Sequence, residues 1–274
     1  MKSFASRRLR NSILTIVVAV AVGWYAWWSK ARLGRPEFAT GYLLLSCLVF
    51  LALYNTRKKL PVLAWTTSAG WLQTHIYVGL LTAVVFGIHV ACKIPSGYLE
   101  IALAALYLLT FASGLVGLYW TRSIPPKLAR VSEEFLYERI PALRSQVQAR
   151  AEQTVLETVR ATGSDTLGEF FAQRVQGYLE KPRGLDYWFR PTSKVRKRLL
   201  AELTEVSRYL SEPERNASET LFALIRRRDD LDFHAAMQWR LKAWLFLHIG
   251  LTYPLLLVAC LHGWLAHLFY GGAL

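Results

Sequence analysis

Five long runs of apolar residues, separated by short polar segments, dominate the chain outside one central polar region. They lie at 13–28, 37–54, 71–93, 98–120 and 241–270. A helix of about 20 mostly apolar residues is long enough to cross the hydrocarbon core of a bilayer. The pattern therefore predicts an all-α integral membrane protein, with a bundle of five transmembrane helices. A hydrophobic content of 53% favours the same class.

The central segment 123–240 has a different composition. It holds 17 of the 19 acidic residues against 20 Lys and Arg, so its charge is nearly balanced. Its apolar residues recur at helical spacing, with predicted breaks at Pro and Gly positions. The breaks are Pro125-Pro126, Gly163-Ser164, Pro182, Pro191 and Pro213. We expect 1–122 to hold transmembrane helices 1 to 4, 123–240 to form a helical cytoplasmic domain, and 241–274 to hold the fifth transmembrane helix.

Basic residues beside the apolar runs predict the orientation of the chain. Residues 1–12 carry Arg7, Arg8 and Arg10 and no acidic residue. Because Lys and Arg near span ends are retained in the cytoplasm, we expect the N-terminus and 123–240 to be cytoplasmic, in a bacterial inner (plasma) membrane. The third and fifth spans then both run outward, parallel to each other.

The net charge of +14 does not by itself indicate nucleic acid as a partner. The basic residues are scattered along helical patterns, and the sequence contains no nucleic-acid-binding motif. The charge fits the flanks of membrane spans and attraction to anionic lipid. We expect a lipid membrane as a partner and no nucleic acid.

Two of the apolar runs each carry two histidines at the same spacing. His75 and His89 lie fourteen positions apart, as do His248 and His262. On an α-helix, fourteen residues correspond to a rise of about 21 Å and an angular offset of roughly 40°, so both rings leave one face at two depths. Two parallel spans would bring His75 opposite His248 and His89 opposite His262.

Buried histidines in a membrane helix need a partner, which can be another helix, a proton relay or a metal. Structural histidines that hydrogen-bond across helices are the alternative to a metal site here. A matched repeat on two helices favours two stacked haems, because both helices must present rings at the same heights. Between His75 and His89 the same face carries Gly79 and Thr82, whose small side chains leave the width that a porphyrin requires. In the fourth span, Ser113 and Gly114 suit close helix packing or a planar cofactor.

The paired motif resembles the di-haem b-type cytochromes, in which two helices separated by one span each carry two histidines. The resemblance covers 38–120 and 241–270 and includes the membrane domain of ferric reductases and NADPH oxidases. It implies two haem b groups with bis-histidine ligation: His75 and His248 as axial ligands of an inner haem, and His89 and His262 of an outer one. The sequence lacks a C-x-x-C-H signal, so covalent haem attachment is not expected.

The sequence departs from both relatives that share this ligand pattern. It has no flavin or nicotinamide motif, unlike the reductases, and no P-E-W-type motif, unlike the cytochrome b of bc-type complexes. We therefore expect a di-haem b-type cytochrome subunit that carries electrons between the quinone pool and a partner redox protein. The alternatives are a transmembrane reductase half fed by a separate cytoplasmic flavoprotein or iron–sulfur protein, and a non-redox transporter or assembly scaffold.

The sequence predicts no catalytic residue, but charged residues near the spans are candidates for secondary roles. Lys93 at the outer level, and Arg122 or Lys242 at the inner level, are expected near haem propionates, with lipid-headgroup anchoring as the alternative. Glu100 is a candidate proton acceptor from a quinol, with a carboxylate at a helix N-terminus as the alternative. A quinone is a further candidate ligand.

Two other histidines and a charged tract have expected roles that do not involve haem. His267 is five positions from His262, which turns it about 140° away from the ligand face. His234 lies in the polar segment and is expected to be a surface or packing residue. The tract RRRDD at 226–230 is expected to be a solvated helix face.

Overall fold

Ten α-helices make up most of the described part of the chain. The computed structural model describes residues 4–56, 67–131 and 135–269, and no β-strand occurs among them. The helices are α1 (Phe4–Ala31), α2 (Pro36–Thr56), α3 (Ser68–His89), α4 (Tyr98–Ala129), α5 (Ile140–Thr162), α6 (Thr166–Phe170), α7 (Gln176–Glu180), α8 (Leu185–Phe189), α9 (Lys194–Val206) and α10 (Glu212–Phe269). A π-helical turn, Phe171–Val175, joins α6 to α7, and 3₁₀ turns lie at Tyr137–Arg139 and Ser207–Tyr209.

Five of these helices, α1 to α4 and α10, are long and apolar enough to cross a membrane. This confirms the predicted all-α class and the five apolar helices. The chain divides into two compact units, the first comprising 1–119 with 245–274 and the second 120–244.

The first unit is a bundle of α1, α2, α3, most of α4 and the C-terminal part of α10. Its small core contains Val85, Tyr107 and Leu255, with Phe86 stacked on Tyr107 at 4.2 Å between ring centres. Most other apolar side chains on these helices are exposed; on α1, for example, Val20 is 65% exposed. The unit therefore presents a largely apolar outer surface.

Contacts along the first unit show how its helices are directed. The start of α2 reaches the end of α3 where Thr40 meets His89, and the end of α2 reaches the start of α3 where Phe50 stacks on Trp71. The helices α2 and α3 are therefore antiparallel. His248 and His262 of α10 meet His75 and His89 of α3 in the same order along both helices, so these two segments are parallel.

The second unit has its own core. Residues with no exposed surface come from four helices and the π-helical turn: Ala151, Leu167, Val175, Leu203, Leu221, Ile225 and Leu231. Gly163 closes α5 in a left-handed conformation, at φ 69°, which glycine adopts without steric cost. The predicted breaks at Gly163, Pro182 and Pro191 are confirmed, and Pro213 lies in the first turn of α10.

Two local expectations are wrong. The pair Pro125-Pro126 does not end α4, which continues to Ala129. Ile124 is only 2% exposed, and its packing supports the helix where the prolines remove two backbone donors.

The tract at 226–230 is also not a solvated face, because Arg228 and Asp229 are each 4% exposed. Together with Asp232 they form a buried ionic cluster. The carboxylate of Asp232 lies 2.6 Å from a guanidinium nitrogen of Arg144, 2.6 Å from Arg183 and 3.1 Å from Arg228. Charged side chains are buried only when they are paired, and the pairing partners come from distant parts of the sequence.

Candidate functional site

The four histidines of the matched repeats meet in two pairs inside the first unit. The ring centres of His75 and His248, the inner pair, are 6.5 Å apart, with their planes at 71°. The ring centres of His89 and His262, the outer pair, are also 6.5 Å apart, with their planes at 89°. The structure therefore brings together the residues that the sequence paired, at one separation and at two levels.

This separation is too long for a direct hydrogen bond between the two rings of a pair and is compatible with a metal ion between them. A hydrogen bond between imidazole nitrogens, at about 2.9 Å, brings the ring centres to roughly 5 Å. A metal ion held at about 2.0–2.1 Å by one nitrogen of each ring spaces the centres at roughly 6.3 Å. The 6.5 Å separation in both pairs fits the second arrangement.

The remaining nitrogen of the outer histidine on α3 is held by α2. Nδ1 of His89 lies 3.1 Å from the backbone carbonyl oxygen of Glu37 and 3.3 Å from the hydroxyl of Thr40. The Thr40 hydroxyl itself bonds the carbonyl of Pro36 at 2.9 Å, within α2. These contacts leave Nε2 of His89 as the nitrogen that can bind a metal.

The inner pair is held differently. Nδ1 of His248 lies 2.6 Å from the hydroxyl oxygen of Ser113 on α4. Nδ1 of His75 is buried and lacks a well-aligned hydrogen bond among the described residues, although the backbone of Leu51 lies near enough to interact with the ring. The ring of His75 also packs against Tyr54, with 5.1 Å between ring centres.

Glycines on the neighbouring helices make room for the rings. A Cβ atom at Gly41 would lie 2.9 Å from Cε1 of His89, closer than two such atoms can approach. A Cβ at Gly114 would lie 3.5 Å from Cε1 of His248, in ordinary contact. At Gly79, on the ligand face of α3, a Cβ would meet no atom within 4 Å, so the space that the sequence predicted beside this glycine is present.

These features together fit a haem at each pair. A haem b held by two histidines would need two imidazoles close enough to share the iron, hydrogen bonds that orient the rings, and open width between the helices. The donor set is chemically suitable, because neutral imidazole is an ordinary iron ligand. Among the described residues no cluster of three or more His, Cys, Asp or Glu side chains offers a different metal site.

The three basic residues predicted to lie near haem propionates are in different parts of the fold. Lys93 is exposed in the turn that follows α3, four residues after His89. Arg122 is exposed on α4, in the second unit. Lys242, also in the second unit, pairs with Glu138 at 2.7 Å and lies over the ring of Tyr137.

The other candidate titratable residues have contacts of their own. Glu100 lies in the first turn of α4, and its carboxylate folds back against Gly97, which is the position of a helix N-terminal carboxylate. His267 pairs through Nε2 with the hydroxyl of Tyr42. His234 is 1% exposed and packs edge-on against Phe135 in the core of the second unit.

Sequence reasoning missed the residues that hold the histidine rings. Ser113 and Gly114 were expected to permit close packing or a planar cofactor, not to contact a histidine, and Thr40 and Gly41 were not singled out. The available signal was a polar or small residue inside an apolar span, as in Ser113-Gly114 and Thr40-Gly41.

Comparisons of the chain with protein-family models, with curated proteins and with solved structures found no match.

Proposed function

We propose that the chain is a di-haem b-type cytochrome subunit that carries electrons across a membrane between the quinone pool and a partner redox protein. The observation that carries this proposal is the equal 6.5 Å separation of the inner and outer histidine pairs. Two independent pairs at metal distance on the same two helices are not required by packing, whereas two bis-histidine haems require them.

The bundle is proposed to lie in a bacterial inner (plasma) membrane with the N-terminus and 123–240 in the cytoplasm. The apolar outer surface of the first unit and the five apolar helices support insertion. The positive charge of 1–12 supports the orientation. Arg57, Lys58 and Lys59, which lie outside the described residues, are proposed to face the same side.

When bound, haem b supplies one-electron chemistry at iron. His75 with His248, and His89 with His262, would each hold one haem through two imidazoles, and this ligation would leave no position at iron for oxygen or another small ligand. His75 and His89 are separated by a helical rise of about 21 Å, so the two pairs hold their centres at two depths. This arrangement suits electron transfer across the bundle and provides no group for substrate chemistry at iron.

A pocket beside the outer pair supports contact with a quinone. It lies between α1 and α2, has a volume of about 400 Å³ and is mostly apolar. Its wall includes Val17, Ala21, Tyr25, Ala39, Thr40 and Leu43. Because Thr40 also contacts His89, a quinone ring in this pocket would lie one residue away from the outer pair.

The second unit favours a partner protein on the cytoplasmic side. It is a compact helical unit with its own core. The sequence of 123–240 contains no flavin, nicotinamide or nucleotide-binding motif. This observation is equally compatible with the second candidate function, a reductase half whose electrons come from a cytoplasmic flavoprotein or iron–sulfur protein.

Optical spectroscopy tests the proposal. The purified chain should show a reduced-minus-oxidised spectrum of b-type haem, and a quinol analogue should reduce it if the quinone pool is the donor. Reduction only by a soluble flavoprotein or iron–sulfur protein would favour the reductase half over the quinone-linked subunit. A colourless protein that takes up no added haem would contradict both and favour a transporter or scaffold.

A further inference from the structure

The hydroxyl of Ser113 binds the back of the inner histidine on α10. Its oxygen lies 2.6 Å from Nδ1 of His248, and Ser113 is 9% exposed. Water is therefore a poor competitor for this bond. Gly114, the next residue, allows the ring to lie close to α4, since a Cβ there would already be 3.5 Å from Cε1 of His248.

The direction of the bond follows from the proposed function, on which this inference rests. A neutral imidazole that binds metal through Nε2 carries its proton on Nδ1. The Nδ1–H of His248 must then donate to the hydroxyl oxygen of Ser113. Such a bond fixes the tautomer and the ring orientation and increases the basicity of the ligating nitrogen.

The outer pair provides a contrast. Nδ1 of His89 faces the backbone carbonyl of Glu37 at 3.1 Å, and Thr40 at 3.3 Å is a weaker partner whose hydroxyl is already bonded to Pro36. The acceptor behind the outer ligand therefore belongs to the main chain. The acceptor behind the inner ligand belongs to a side chain and can be changed by substitution.

We propose that Ser113 is a positioning residue that sets the reduction potential of the inner centre relative to the outer one. A more basic axial ligand stabilises the oxidised metal and lowers its potential. By holding Nδ1–H of His248, the Ser113 hydroxyl lowers the potential of the inner centre and leaves the outer centre unchanged.

The test is a redox titration of the purified full-length chain, followed optically and by electron paramagnetic resonance. The variants are Ser113→Ala, Ser113→Thr and the control Thr110→Ala. Thr110 is on the same helix one turn earlier. Among the described residues, its hydroxyl donates a hydrogen bond to the carbonyl of Leu106, at 2.7 Å. His248→Ala, which lacks the inner ligand, identifies the inner signal.

We expect Ser113→Ala to shift the reduction equilibrium of the inner centre about tenfold toward the reduced form, a rise of about 59 mV for one electron. The outer centre, and both centres in Thr110→Ala, should keep their potentials, and Ser113→Thr should restore that of the wild type. Loss of the inner haem alone in Ser113→Ala, with recovery in Ser113→Thr, would also support a positioning role.

Two haems with unchanged potentials in Ser113→Ala would overturn the inference while leaving the proposed function intact. An equal shift in Thr110→Ala would overturn it as well, since the effect would then belong to helix packing. Wild-type protein without haem would instead contradict the proposed function itself.

Discussion

Single glycines decide whether the histidine rings can take their positions. Gly41 faces His89 so closely that an added Cβ would lie 2.9 Å from its Cε1. We predict that Gly41→Ala displaces the His89 ring and reduces occupancy of the outer centre, measured as haem per chain. Alanine is favoured over glycine inside a helix by roughly 0.5–1 kcal/mol, so a weakened helix would not explain the loss.

Gly87→Ala is the matched control, because it lies on the same helix as His89 and a Cβ there would meet only Sγ of Cys92, at 3.9 Å. It should keep both haems. Full haem content in Gly41→Ala would show that the outer ring has another position available and would weaken the assignment of His89.

The buried carboxylate of Asp232 is the centre of the ionic cluster in the second unit. Its side chain has no exposed surface and lies within 3.1 Å of three arginines. Removing one partner from a buried ionic group typically costs about 3–5 kcal/mol, because the other charges are left uncompensated. We predict that Asp232→Ala lowers the free energy of unfolding of the second unit by about that amount, measured by hydrogen exchange along 140–244.

Two other carboxylates provide the comparison. Burial raises the pKa of the Asp229 carboxyl, while the neighbouring Arg196 opposes the rise, so Asp229→Asn should cost less than Asp232→Ala. Glu205 forms an exposed pair with Arg208 at 3.3 Å, and Glu205→Ala should leave exchange unchanged. Equal effects in all three variants would show that burial among three arginines does not make Asp232 more important for stability than the other two carboxylates.

At this scale the sequence predicted the metal-ligand candidates but not their surroundings. The fourteen-residue spacing fixes the relative position of two rings on one helix, because helix geometry is local. The partners Ser113, Gly41 and Glu37 lie on other helices, and the pairing of Arg144 and Arg183 with Asp232 joins residues 88 and 49 positions apart. Such contacts depend on tertiary packing, which a single sequence does not specify.

At the scale of the element, α10 shows that a proline can lie between two ligands without changing their alignment. Pro254 stands between His248 and His262, and the helix runs unbroken from Glu212 to Phe269. The inner and outer pairs have the same 6.5 Å separation. The register of α10 against α3 is therefore maintained across the proline.

We accordingly predict that Pro254→Ala keeps two haems per chain with an unchanged optical spectrum. The substitution adds one backbone N–H, which can bond the carbonyl of Gly250, so the helix should gain some stability. Haem content and thermal denaturation of the purified variant measure both effects. Loss of the outer haem alone would mean that the proline aligns His262 with His89.

Element bounds were predictable where composition changes sharply. The spans 37–54 and 98–120 correspond to α2 and to most of α4 because apolar runs end at polar or turn residues. The continuation of α4 through Pro125-Pro126 was not predictable, since it depends on the burial of Ile124 in the folded unit.

At the scale of the whole molecule, the proposed orientation of the chain rests on its charge distribution and can be tested by direct labelling. The second unit is proposed to be cytoplasmic, and Gly163-Ser164 forms the turn between α5 and α6 within it. We predict that a thiol introduced by Ser164→Cys, in a chain with the three native cysteines replaced, reacts with an impermeant reagent only after the membrane is opened. Lys93→Cys, in the turn after α3, should react from outside and is the control. Labelling of Ser164→Cys in intact cells would place the second unit outside the cytoplasm and contradict the proposed topology.

The central claim is that each histidine pair holds one haem, and pairwise ligand removal tests it most directly. A pyridine haemochrome assay of the wild-type chain should find two haems b, and replacing any one of His75, His89, His248 and His262 by Ala should leave one. His75→Ala and His248→Ala should remove the same spectral component, and His89→Ala and His262→Ala the other, while His267→Ala and His234→Ala remove neither. A single haem in the wild type, or loss of the same component from His75→Ala and His262→Ala, would contradict the account.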